Sequence, residues 1–166
     1  MIKALPLLAA ALLVGAPVLG AAPASAETLN IVGTWDLAKA DKLLPSGERV
    51  TDYGENPHGI AIFTADGRYV LEIFRADRVK FASGDKFNGT PEEYKAASLR
   101  MSVSFGRYSI DPEKRQITFH VDRSSFPNQD DATSVRAYEQ NGDEISWKVS
   151  PRADGSIPIT VLRRAK

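Results

Sequence analysis

Eight short runs in which apolar and polar residues alternate, most of them joined by a tight turn, leave this chain few folds to choose from. They are residues 31–38, 59–64, 68–74, 103–110, 116–121, 133–140, 144–149 and 156–163. A period of two sends successive side chains to opposite faces, so each run reads as a strand with one face free for a core. Between them stand turn formers: Ala65-Asp66-Gly67, Asp111-Pro112-Glu113-Lys114, Asn141-Gly142 and Arg152-Ala153-Asp154-Gly155. Asp-Gly and Asn-Gly suit hairpins because both positions tolerate positive φ. Pro158, inside the last run, has no N–H to donate and belongs at a bulge or an edge. Consecutive hairpins build an antiparallel meander, and a meander of this length removes its exposed edges by closing. The expected fold class is all-β, an eight-stranded antiparallel up-and-down barrel. A two-sheet sandwich is the alternative.

Residues 78–108 are the one long interruption, and they place a single helix between strands 3 and 4. Thr90-Pro91-Glu92-Glu93 is a capping box with proline at the first helical position. The threonine hydroxyl accepts from the N–H of Glu93, and the Glu93 carboxylate reaches back to the N–H of Thr90. Tyr94, Ala97, Ser98 and Met101 follow at i, i+3, i+4 and i+7, a stripe suited to a sheet edge or a barrel mouth. A second long connection, residues 41–58, carries the loop signals Pro45-Ser46-Gly47 and Tyr53-Gly54-Glu55-Asn56-Pro57. Its length without regular structure makes it a candidate functional element.

Residues 1–26 have the anatomy of a secretory signal peptide: Lys3, an apolar run over residues 4–20 broken by Pro6 and Pro17, then Ala24-Ser25-Ala26. An uncleaved anchor is the alternative, but the run is short for a span. Cleavage after Ala26 leaves residues 27–166, one domain in size, in the periplasm or outside the cell. The whole chain has 21 basic and 21 acidic residues, and losing Lys3 leaves 20 against 21. The charges are interspersed, so neither nucleic acid nor, after cleavage, a membrane is implied as partner. A monomer or weak dimer is expected. The absence of cysteine excludes disulfides, thiolate metal sites and cysteine nucleophiles.

Two histidines stand out. His120 alternates with Ile117, Phe119 and Val121, so it is either a surface residue or a titratable group in a cavity, depending on which face turns inward. His58 sits between Pro57 and Gly59 in the long loop. Together they make a poor metal set, needing a carboxylate from Asp36, Glu72 or Asp122 without supporting spacing, so no metal is expected. Arg107 and Arg136 lie beside Tyr108 and Tyr138. An arginine inside an apolar barrel is costly, so each must reach solvent, a carboxylate or an anionic ligand. Tyr69 shares a face with Leu71 and Ile73. The candidate ligand-binding set is His58, Tyr69, Arg107, Tyr108, His120, Arg136 and Tyr138.

Gly33-Thr34-Trp35 on the first strand, with an arginine near the end of the last, resembles the lipocalin and calycin pattern, in which the tryptophan packs at the closed end beneath the arginine. Arg163, on the face of Ile159 and Val161, is the better candidate for that arginine, and Arg164 the other. The longer resemblance is to the bacterial lipocalin-like domain family and covers essentially all of residues 27–166. It rests on Gly33-Thr34-Trp35, Asn56-Pro57-His58-Gly59, Thr64-Ala-Asp-Gly-Arg68, Arg78 with Phe81-Ala-Ser-Gly-Asp85, Gly89-Thr-Pro-Glu-Glu-Tyr94, Phe105-Gly-Arg-Tyr108, His120 and Ser125-Phe-Pro-Asn128. The resemblance implies a small barrel with an internal cavity for a hydrophobic or amphipathic small molecule; no cofactor is expected. Gln129-Asp130-Asp131 departs from it, since an aromatic residue is expected after Asn128.

The leading functional expectation is therefore an exported barrel that binds or carries such a molecule. The alternative is an enzyme (a cyclase, isomerase or hydrolase) using His120 or His58 as acid–base, with an arginine stabilising negative charge. A module acting through an apolar surface patch is the third class.

Overall fold

Gly67 at φ +82° and Gly142 at φ +58° reverse the chain at the Asp-Gly and Asn-Gly sites, conformations that an L side chain rarely adopts. The hairpins that follow from them dominate a computed structural model that describes residues 29–166. The signal peptide expected over residues 1–26, with its cleavage site, lies outside the described residues. The strands are β1 (Gly33–Leu43), β2 (Arg49–Thr51), β3 (His58–Phe63), β4 (Arg68–Phe74), β5 (Met101–Asp111), β6 (Gln116–Ser124), β7 (Thr133–Asn141), β8 (Glu144–Lys148) and β9 (Ile157–Arg164). One α-helix, α1 (Pro91–Leu99), and a 3-10 turn at Pro127–Gln129 complete the regular structure.

All pairings are antiparallel, in the order β2-β1-β3-β4-β5-β6-β7-β8-β9, and β1 also pairs with β9. Eight strands thus form a closed wall. The short β2 pairs only with the far end of β1, beyond the residues that β3 occupies. This strand corrects the sequence expectation twice. The helix lies between β4 and β5, not between strands 3 and 4. The connection over residues 41–58 is also partly regular, because β1 runs on to Leu43 and turns back through Pro45-Ser46-Gly47 into β2. The turn is closed by Leu44 N–H to Glu48 O (2.8 Å) and Gly47 N–H to Leu44 O (2.9 Å).

The interior divides by side-chain size. At the closed end Trp35, Phe63, Tyr69, Phe119 and Trp147 are all buried. Tyr69 meets Phe119 edge-on at 4.9 Å, Phe63 meets Tyr108 edge-on at 5.2 Å, and Phe119 lies 5.5 Å from Trp147. Such large rings, two of the pairs edge-on and one tilted, fill that end solidly. Toward the other end the cavity wall carries small residues: Ala40, Ser102, Ser104, Ser134 and Thr160. Space is left there.

Trp35 is 1% exposed, and its indole N–H donates to Ile31 O at 2.7 Å. The arginine above it is Arg164, with the guanidinium carbon 4.3 Å from the ring centroid. Arg163 instead pairs with Glu144 on the outer surface (2.6 Å). The β1–β9 register explains this correction. Trp35 stands opposite Arg164, and Asp36 opposite Arg163. Directly opposed residues share a face, so the inward set of β9 includes Leu162 and Arg164, not Val161 and Arg163. A register shift between Leu37 and Lys39 makes Ala38 a bulge, which keeps Leu37 and Ala40 both inside. Gly33, at φ +128°, serves the arginine more than the indole: a Cβ there would press on Arg164 Nη1.

The capping box forms as expected, with Glu93 N–H to Thr90 Oγ1 at 3.2 Å and Thr90 N–H to Glu93 Oε2 at 2.8 Å. The helix does not lie on the barrel mouth, however. None of its residues is buried, and Met101 is already the first residue of β5. It packs on its own loop, where Tyr94 meets Phe81 at 5.4 Å and its hydroxyl accepts from Gly89 N–H at 3.0 Å.

Candidate ligand site inside the barrel

The inward faces of β1, β4, β5, β6, β7 and β9 line an open-mouthed cavity of about 570 Å³ above the aromatic floor. Leu71, Ile73, Val121, Val149 and Ile159 give it apolar walls, and Ser102, Ser104, Ser134 and Thr160 add hydroxyls. Its rim is formed by Asp52 and Tyr53 after β2, by Phe126 and Gln129 around the 3-10 turn, and by residues 150–153 before β9. Arg152 spans the rim to Asp52 with contacts of 2.6 and 3.2 Å, and Lys42 approaches the same carboxylate at 3.5 Å. Asp41, also at the wall, is held by Arg49 at 2.8 Å. A volume of this size, with apolar walls and a comparable number of polar and charged groups, suits a small amphipathic organic molecule.

Arg136 is the cation inside. Opposite Ile117 in the β6–β7 register, it points inward, and its guanidinium lies 4.6 Å from the centroid of the Phe119 ring. Its Nε donates to Ser134 Oγ at 3.2 Å. Among the described residues no carboxylate pairs with it. Desolvation by burial lowers its pKa to about 10, so it remains a cation at neutral pH. Burial likewise raises Tyr69, with Ser104 and Arg136 pulling the other way. Tyr53 is raised by burial first and by Asp52 second. Both phenols are therefore neutral near pH 7.

Of the expected site residues, Arg136 alone lines the cavity directly. Tyr69 and Tyr138 are buried, with Tyr69 part of the floor and Tyr138 opposite Trp147. Tyr108 is half-buried against Phe63, and its hydroxyl donates to Thr64 O at 2.9 Å. Arg107 is exposed on the outer face, opposite Arg68 on one side and His120 on the other. His120 is exposed as well, its Nδ1 3.0 Å from Thr133 Oγ1. His58 opens β3 and is exposed. Neither histidine borders the cavity. Among the described residues no group of three or more His, Cys, Asp or Glu comes together as a metal site.

The serines and the Asp52–Arg152 pair were not anticipated from the sequence. A signal for Ser102 and Ser104 existed, since they alternate in step with Gly106 and Tyr108 and leave small side chains facing inward. The ion pair had none, because its partners are a hundred residues apart. A second depression, about 520 Å³, lies on the outer surface around Lys39, Glu139, Glu144 and Arg163. Arg163 and Glu144 already satisfy each other there.

Comparison with curated proteins returns no match. A crystal structure of an uncharacterized protein from Bacteroides eggerthii DSM 20697 is similar at 14% identity and a TM-score of 0.39, over 81% of this chain and 98% of that one. The family model described as a lipocalin-like domain matches residues 32–164, from the strand that carries Trp35 to the arginine that covers it. The chain belongs to the lipocalin-like domain family.

Proposed function

We propose that this protein binds or carries a small hydrophobic or amphipathic molecule in its barrel cavity. The observation that carries the reading is the open-mouthed space of about 570 Å³, left by small inward residues above a solid aromatic floor. Export belongs to the same reading: residues 1–26 direct secretion, cleavage follows Ala26, and residues 27–166 act in the periplasm or outside the cell. Binding is favourable because apolar walls take ligand surface out of water, at about 25 cal/mol per Å².

The experiment follows the fluorescence of N-phenyl-1-naphthylamine, a neutral reporter that brightens in apolar surroundings. The native protein should enhance it saturably, and Ser104→Phe, which fills the cavity from β5, should not. Circular dichroism checks that the variant keeps its sheet. Equal enhancement by both proteins would mean that the reporter sits elsewhere and the cavity reading is wrong.

A further inference from the structure

We infer that the cavity selects a monoanionic amphipathic ligand, a carboxylate on an apolar body, and seats it head-first with the carboxylate on Arg136. This rests on the cavity reading above and narrows it to a ligand class.

The first ground is charge. Three charged residues besides Arg136 line the cavity: Asp41, Asp52 and Arg152. Asp41 is held by Arg49, and Asp52 by Arg152 and Lys42, so the acids and Arg152 are already matched. Arg136 is the unmatched charge. A guanidinium offers five N–H donors, and among the described residues only its Nε has a protein acceptor, Ser134 Oγ. The remaining donors face the cavity, partly shielded from solvent, where a carboxylate acceptor gains more than it would in open water.

The second ground is position. Arg136 rests against Phe119, whose ring packs on Tyr69 at the closed end. Above it rise Leu71, Ile73, Val121, Val149 and Ile159. A charged head at this depth leaves its apolar body against those walls and its tail toward the rim. The opposite orientation would put an apolar end on the partly buried cation. One guanidinium, with the Ser134 hydroxyl on its Nε, matches a single negative charge, whereas a phosphate dianion would leave charge unmatched.

A purely structural Arg136, holding Ser134 and stacking on Phe119, predicts no ligand preference at all. Displacement of N-phenyl-1-naphthylamine by decanoate and by decanol separates the two. These molecules share a chain and differ in the head. In the native protein decanoate should displace the reporter at a concentration about ten- to a hundredfold lower than decanol, as expected for one charge-assisted pair. Arg136→Met keeps side-chain volume and should bind the reporter while losing that preference. Arg136→Lys should retain part of it, since the charge stays and the planar fork goes. Equal displacement by both molecules in the native protein overturns the inference and leaves the cavity reading intact. A preference for decanoate that survives in Arg136→Met overturns it as well. Failure of the reporter to bind the native protein removes the cavity reading and this inference together.

Discussion

Arg152 and Asp52 meet in a two-point ion pair at the cavity rim, Nη2 to Oδ2 at 2.6 Å and Nη1 to Oδ1 at 3.2 Å. The contact ties the segment after β2 to the connection before β9. The Asp52 side chain is 12% exposed and that of Arg152 40%. Solvent screens the pair on one side only, so it belongs between the weak surface bridges and the costly buried ones. A double-mutant cycle with Asp52→Asn and Arg152→Met should return a coupling of about 1 kcal/mol in urea unfolding. The same variants should release N-phenyl-1-naphthylamine faster than the native protein. Purely additive losses with unchanged release would show that the pair is not a clasp.

Trp35 and Arg164 offer a second test. Trp35→Ala should cost about 3–5 kcal/mol, the range for a large core aromatic. Arg164→Lys should cost less but still couple to Trp35→Ala, because lysine lacks the planar surface that stacks on the indole. Arg163→Lys, on the outer face, should be within about 0.5 kcal/mol of native. Urea midpoints for the three decide whether the β1–β9 register described here is the one in solution.

Arg136→Met should make the unliganded protein more stable. The folded pKa of about 10 lies below the ordinary arginine value, so the folded chain holds this proton more weakly than the unfolded chain does. By linkage, the buried charge opposes folding at every pH below about 10, and stability recovers only as pH rises through that value. Stacking on Phe119 offsets part of the cost, which leaves an expected gain of roughly 1–3 kcal/mol. A lower urea midpoint would show that Arg136 supports the fold instead.

Gly106→Ala should be strongly destabilising. A Cβ at this position would collide with the backbone carbonyl of His120 and the N–H of Asp122. Both are main-chain atoms beside the bulge between Phe105 and Gly106, and neither can swing aside as a side chain can. Gly47→Ala, with nothing near its Cβ, is the control; its φ of +87° still brings modest strain. Thermal melts of both variants rank them, and a Gly106→Ala melt at or above that of Gly47→Ala contradicts the packing.

The Glu93 carboxylate is held below its ordinary range, first by the N–H of Ala82 and second by that of Thr90. A lowered carboxylate contributes stability above its unfolded value and loses it as pH falls through the folded one. The amide resonances of Ala82 and Thr90 should therefore shift together, with a midpoint below 4.5, the ordinary value for a glutamate. In Glu93→Gln neither should titrate.

What could be read from the sequence was local. Thr90, Pro91 and Glu93 announced the start of the helix because a capping box is complete within four residues. Asp66-Gly67 and Asn141-Gly142 announced their hairpins for the same reason, and the series of strands implied closure. Arg163 was preferred to Arg164 because parity along β9 was judged from Ile159 and Val161 alone. The inward set is decided by pairing with β1, whose bulge at Ala38 no local pattern reveals. β2 was missed because three residues, two of them polar, carry too little periodicity. The direction of Arg136 depended likewise on register with β6, so the sequence left three possible partners for it and the fold removed one.

The short hairpin base between β4 and β5 is sealed before the helix begins. Phe74 pairs with Met101, Arg75 N–H donates to Arg100 O at 3.0 Å, and Asp77 takes both Arg75 and Arg100. The chain between Arg78 and Leu99 hangs beyond that seal and sends no helical side chain into the core. Seen from the barrel, those residues are one long loop closed at its neck. Doubling the length of such a loop costs only about 0.6 kcal/mol in closure entropy. The segment is thus a cassette: its sequence can diverge, and its length can change, while the barrel and its cavity keep their form.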